Sequence, residues 1–271
     1  MSQPIKLPLG KKIKLGDFDP DYMAGHDEGR REIRKKLTKV TSEIIELQEL
    51  LYAESKHALL IVLQAMDAGG KDGTIKHVMG AVNPQGCDVV RFKAPSDEEA
   101  AHDFLWRAHK AAPQKGQIVI FNRSHYEDVL VTRVHNFVSE SVWEKRYDQI
   151  NEFEKMLSQN QISILKFFLH ISKKEQKKRF KERLENPDKH WKFSPADLRE
   201  RAHWDSYKEA FEGVFSNCNT KWAPWHIIPS NDKRCRDLII AETIVKTLKK
   251  LKMKYPEPSV DIASINADDI I

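Results

Sequence analysis

Ala58-Leu59-Leu60-Ile61-Val62-Leu63-Gln64-Ala65-Met66-Asp67-Ala68-Gly69-Gly70-Lys71-Asp72-Gly73-Thr74, within a chain of 271 residues, carries the strongest signal of the fold. The run Ala58 to Gln64 is apolar almost throughout, which suits a central strand of a parallel sheet covered by helices on both faces. Past Thr74, the residues Ile75, Val78, Met79 and Val82 resume helical spacing. A strand, a glycine-rich turn and a helix start together form an anion cradle. Glycines let the backbone come close, consecutive N–H groups and the helix N-terminus face the anion, and Lys71 adds a mobile positive charge. A plain glycine-rich connection explains the glycines but not a lysine flanked by Asp67 and Asp72.

Set against the phosphate-loop pattern G-x-x-x-x-G-K-[ST], Gly70-Lys71 fits, while Met66 stands at the first glycine position and Asp72 at the hydroxyl position. Ala68, Gly69, Gly70, Asp72, Gly73 and Thr74 are the expected phosphate-binding residues, with Asp67 and Lys71 nearest the chemistry. Because Mg²⁺ prefers oxygen ligands and retains waters, Asp67 is the candidate to hold the metal, directly or through water, with Asp72 second.

Outward from this stretch, short β-rich runs alternate with longer helical periods, the signature of an α/β fold. Cys87–Phe92, Gln117–Phe121, Ile162–His170 and His226–Pro229 complete a predicted five-stranded parallel sheet. Ser96 with Glu99 and Ser172 with Glu175 have capping-box spacing, and Ser194 precedes Pro195. A long amphipathic helix from about Asp27 to Tyr52 is expected to pack on the sheet. The reading is one domain over residues 1–271. It carries an N-terminal helical extension (about 1–55), a basic insertion (about 173–208) and an acidic tail (about 255–271).

The third strand is where a fold of this kind places a metal-orienting acid, but the residue there is Asn122. Glu127 or Asp128 could supply the missing charge from the next turn. Arg123 is a phosphate fork whose planar guanidinium holds two oxygens at once, and Arg133 is a weaker candidate. His125 and His135 read as packing or surface residues.

Charge is distributed unevenly. The chain has 45 Lys and Arg against 40 Asp and Glu, and residues 173–208 hold twelve bases and seven acids, a surplus equal to that of the whole chain. Within it, Arg179 and Arg183 share a helix face. The following Asn186-Pro187-Asp188-Lys189-His190-Trp191-Lys192-Phe193 reads as a loop, and the whole as a lid that closes on phosphates and excludes water. Trp191 and Trp204 read as its anchors, with stacking on a base as the alternative. No apolar run approaches a membrane span, and the N-terminus has no apolar signal core. Three widely spaced cysteines suit neither a disulfide framework nor a zinc site. A cytoplasmic protein with no membrane or nucleic-acid partner is expected, acting as a homo-oligomer, dimer or tetramer.

Gln64 to Thr74, Phe121-Asn122-Arg123-Ser124-His125-Tyr126-Glu127-Asp128 and Lys189-His190-Trp191-Lys192-Phe193 together resemble the polyphosphate kinase 2 family, in order over roughly Lys11 to Pro256. The resemblance implies a three-layer P-loop kinase fold similar to thymidylate kinase, with an α-helical lid. It also implies Mg²⁺-dependent, reversible phosphoryl transfer between inorganic polyphosphate and nucleotides such as ADP, ATP and AMP. Carried over by position, it places Asp67 and Lys71 in the Walker A loop, Arg123 after the Walker B strand and Arg183 in the lid. Asn122 followed by Glu127 resembles the class III subgroup, which accepts nucleoside monophosphates and diphosphates. The rival readings are an ATP-dependent nucleotide kinase and a non-catalytic nucleic-acid-binding module.

Overall fold

The computed structural model describes residues 5–262. Six strands form one sheet: β1 (Ile5–Lys6), β2 (Ala58–Ala65), β3 (Cys87–Arg91), β4 (Ile118–Asn122), β5 (Ile162–His170) and β6 (Trp225–Pro229). Ten α-helices lie among the described residues: α1 (Arg30–Glu54), α2 (Lys71–Met79), α3 (Asp97–Ala101), α4 (Trp106–Lys110), α5 (Val131–Val134), α6 (Glu140–Gln159), α7 (Lys173–Glu185), α8 (Pro195–Ala202), α9 (Trp204–Asn217) and α10 (Lys233–Lys250). The expected strands are thus present with ends shifted by at most one residue.

The order across the sheet is β1-β6-β5-β2-β4-β3. The neighbours from β6 to β3 are parallel, and β1 joins β6 antiparallel through Ile5 opposite Ile227. The five parallel strands are the expected sheet; β1 is an antiparallel addition at its edge, and it makes the N-terminal extension more than a helix. Residues between β1 and α1 pass over α9, where the Ile13 and Leu15 amides donate to Ser216 Oγ and Glu212 Oε1 at 3.1 and 2.8 Å. The acidic tail has no regular helix or strand as far as it is described, and Asp268 and Asp269 lie outside the described residues.

β2 is buried along its whole length because each face meets its own helical layer. Leu60 and Val62 join one core with Phe153 and Leu157 of α6 and Val214 and Phe215 of α9. Leu59, Ile61 and Leu63 join the other with Ile44 and Leu51 of α1 and Ile239, Ile240 and Ile244 of α10. Burying side chains of this size stabilises by about 1.5–3 kcal/mol each, which is why a continuous apolar strand belongs at the centre. The chain leaves β2 toward one edge of the sheet and later returns to the other side of it. The carboxyl end of β2 therefore sits at a switch point, where open α/β sheets bind their ligands.

One charged group interrupts this core. Lys166, within β5, is fully buried and donates to Glu154 Oε2 at 2.6 Å, Tyr126 Oη at 2.7 Å and the Cys218 carbonyl at 2.8 Å. Tyr126 in turn donates to Glu154 Oε1 at 2.7 Å. His125 closes the cluster at 3.4 Å from Glu154, so its place is internal packing. Removing one partner strands the other in low dielectric. Lys166→Met is expected to lower unfolding free energy in urea by about 3–5 kcal/mol, with part of the loss recovered when Glu154→Leu is added.

Caps follow local chemistry with one departure. Ser96 and Glu99 close a full capping box. Ser172 Oγ accepts from the Glu175 amide, but the Glu175 carboxylate turns to Arg179 Nε at 2.8 Å, leaving the box half made.

Candidate active site

Two clefts meet at the carboxyl ends of β2 and β4. The first, about 580 Å³, follows the glycine-rich turn from Asp67 to Gly73 and is walled by Arg91, Lys93, Asn122, Arg123 and, from the basic insertion, Arg183, Trp191 and Lys192. The second, about 200 Å³, lies on the other side of Asp67 and Arg123. Gln64, Glu127, Leu130, Val131, Gln176, Glu200, Trp204, Tyr207 and Phe211 line it. Asp67 and Arg123 face both.

The turn is built for close approach. Ala68 and Gly70 take left-handed conformations (φ 60° and 109°), and α2 begins immediately after, so its first-turn N–H groups have no partner within the helix. Lys71 is half-buried here, with Nζ 3.4 Å from the Ala65 carbonyl. Burial, with Arg123 nearby, lowers its pKa against the pull of Asp67, Glu127 and Asp72, so an incoming anion restores what burial takes from this ammonium.

Arg123 stands at the end of β4 with φ 62°, a left-handed conformation that costs a non-glycine residue about 1–2 kcal/mol. Strain of this kind gathers at working sites. Its two terminal nitrogens reach Asp67 at 3.2 Å and Glu127 at 3.7 Å. Burial raises the Glu127 pKa, with Arg123 and Lys71 opposing, and Gln64 donates to its carboxylate at 3.1 Å. Asn122 Nδ2 donates to Asp72 Oδ1 at 2.7 Å, which ties Asp72 to β4, whereas Asp67 faces both clefts. Asp67 and Glu127, both hard oxygen donors held by one guanidinium, suit Mg²⁺, which takes one or two protein carboxylates and fills its octahedron with water and phosphate oxygens. Among the described residues no cluster of three or more His, Cys, Asp or Glu side chains could hold an ion by itself.

Arg183 lies in the first cleft, with Nη1 3.3 Å from Asp197 and 3.1 Å from the Lys192 carbonyl. Three of the expected residues lie outside the first cleft. Arg179 does not face the phosphate cleft: it is buried behind the turn on backbone carbonyls, because α7 packs that face inward. Arg133 lies over the Trp143 ring at 4.4 Å and beside a separate surface pocket with Lys11 and Lys12. Thr74 is buried and gives its hydroxyl to Asp237 at 3.2 Å. Trp191, expected as an anchor, is 78% exposed at the cleft rim, whereas Trp204 packs against the core. His135 ties Glu200 of α8 to the body at 3.0 Å, and Tyr207 donates to the same carboxylate at 2.7 Å.

Sequence reasoning missed the second cleft's lining and the pair Arg236–Asp237 beneath the turn. The one signal for the pair was an Arg-Asp couple entering the apolar run Leu238-Ile239-Ile240.

The family model of polyphosphate kinase 2 matches residues 27–256. The chain is 50% identical over 247 residues to an AMP/ADP-polyphosphate phosphotransferase of Meiothermus ruber, covering 91% of this chain and 92% of the relative. It is 44% identical to an ADP-polyphosphate phosphotransferase of Rhodopseudomonas palustris, covering 94% and 92%. Its structure is similar to that of polyphosphate kinase 2 from Arthrobacter aurescens TC1, with a TM-score of 0.90, 39% identity and 96% of each chain covered. No helix among the described residues is long and apolar enough to cross a membrane. With the family model spanning most of the chain and relatives of 50% and 44% identity matched over nearly their whole length, the chain belongs to the polyphosphate kinase 2 family.

Proposed function

We propose that the protein transfers the terminal phosphoryl group of inorganic polyphosphate to ADP and AMP, reversibly and with Mg²⁺, in the cytoplasm. The observation that carries this reading is the meeting of a basic, solvent-open groove and a smaller, partly apolar pocket at Asp67 and Arg123. The groove suits a long phosphate chain. The pocket, with Trp204, Tyr207 and Phe211 beside Glu200 and Gln176, suits a nucleoside whose phosphate points at Arg123.

Lys71 and the first-turn N–H groups of α2 would hold the donor's terminal phosphates, and Arg183 would add charge when residues 173–208 close as a lid. Arg123, reaching both clefts, would bridge the acceptor oxygen and the transferring group. That oxygen is already anionic, since the second phosphate pKa is about 6, so no general base is required. Mg²⁺ on Asp67 and Glu127 would neutralise charge on the phosphate oxygens. What the residues themselves do is bind, align and exclude water, which is most of what phosphoryl transfer asks of a protein.

With polyphosphate and Mg²⁺, AMP offered alone is expected to give ADP and then ATP. Product from ADP only would restrict the acceptor to diphosphates. Salt should separate donor from acceptor. Raising salt from about 50 to 200 mM is expected to increase KM for long polyphosphate tenfold or more, through lost counterion release, while KM for ADP changes by a few-fold.

A further inference from the structure

Two guanidiniums converge behind the phosphate turn, on the side away from the cleft. Arg179 Nη1 donates to the carbonyls of Ala68 and Gly69, each at 2.9 Å, and its Nη2 donates to Ser230 at 2.5 Å and Asn231 at 3.3 Å. Arg236, buried on α10, brings Nη1 to 3.4 Å from the same Gly69 carbonyl. Asp237 fixes it, with Oδ1 2.8 Å from Nε and 2.6 Å from Nη2, and Asp237 also takes the Thr74 hydroxyl at 3.2 Å and His77 Nδ1 at 2.9 Å. The loop and α2 are thereby tied to α10 through one ion pair.

Burying two like charges against one carbonyl oxygen is an expensive way to hold a turn. Burial lowers the Arg179 pKa and the neighbouring Arg236 adds to the effect, against support from Glu175. The Gly69–Gly70 peptide is trans, so its N–H points opposite to its C=O. With the carbonyl held back on the guanidiniums, the Gly70 N–H is turned toward the cleft that these glycines line. The preceding N–H, that of Gly69, is spent on the Met66 carbonyl at 2.9 Å. Gly70 itself has no room for a side chain, since a Cβ would stand 1.9 Å from Arg236 Nη1.

We propose that Arg236, seconded by Arg179, is a positioning residue for the phosphate donor. The two guanidiniums lock the Gly69–Gly70 peptide with its N–H toward the cleft, so that the anion site is formed before phosphate arrives. This rests on the reading that the donor lies in the cleft of the glycine-rich turn. Neither arginine needs to touch phosphate.

The test is Arg236→Lys, which keeps the charge but cannot reach Asp237 and the Gly69 carbonyl together. It is read by titration with tripolyphosphate in the absence of nucleotide and metal, by steady-state KM for polyphosphate and for ADP, and by thermal unfolding. Affinity for tripolyphosphate is expected to fall about tenfold and donor KM to rise about as much, the value of one hydrogen bond to a charged group. KM for ADP should stay within about twofold. Arg179→Lys, on the lid side, should shift the same two quantities in the same direction and covers the case in which Arg236→Lys fails to fold. Unchanged tripolyphosphate affinity in a folded variant would overturn the proposal. So would a parallel rise in both KM values with a fall in the unfolding midpoint, which is the signature of a general scaffold. Should wild-type protein bind tripolyphosphate in an Arg236-dependent way yet transfer nothing from polyphosphate, the positioning role stands and the proposed activity fails.

Discussion

Lys71→Ala is expected to lower kcat/KM with polyphosphate by about 10²–10³-fold while the thermal midpoint holds or rises. The two halves of this result have one cause. Lys71 is half-buried with only a 3.4 Å approach to a carbonyl, and desolvation is the main cause of its lowered pKa, so its charge is held at some cost until an anion arrives. Removing it relieves that cost and, on the proposed mechanism, takes away the charge that would meet the transferring phosphoryl group. Activity assays beside thermal unfolding distinguish this from a folding defect, which would move both downward. Near-normal turnover would take the glycine-rich turn out of the mechanism.

Arg123→Ala should cost as much or more, about 10³-fold in kcat, because the guanidinium lines both clefts at once, the one proposed for the donor and the one proposed for the acceptor. Its effect divides differently from that of Lys71. A residue that binds only one substrate raises that substrate's KM; one that bridges the reacting groups acts mainly on kcat. Arg123→Lys should recover only a small part, since an ammonium cannot reach toward Asp67 and Glu127 with separate nitrogens as the fork does. Loss confined to the KM for polyphosphate would make Arg123 a donor-binding residue alone.

The inner parallel strands were legible because burial on both faces leaves them largely apolar, and the phosphate turn because glycine, lysine and a following helix are local features. β1 was not: two residues pairing with β6 make no periodic pattern. Helical spacing put Arg179 and Arg183 on neighbouring turns of α7 but could not say what each would meet. In the structure Arg179 is buried on the backs of Ala68 and Gly69 and Arg183 looks into the cleft. The second cleft takes residues from β2, α7, α8 and α9, and only the tertiary fold brings Gln64, Gln176, Glu200 and Tyr207 together. Lys166 was visible as a charge in an apolar strand, yet its partner Glu154 lies on another element, and nothing local joins them.

Polyphosphate held at the Lys71 turn as the phosphoryl donor is tested with ³²P-labelled polyphosphate, unlabelled ADP and Mg²⁺, no ATP added, with wild-type protein and Lys71→Ala side by side and nucleotides separated by chromatography. Label is expected in ATP with wild-type protein, with formation reduced at least a hundredfold by the substitution. ATP left unlabelled by wild-type protein, or labelled equally by both, would contradict it.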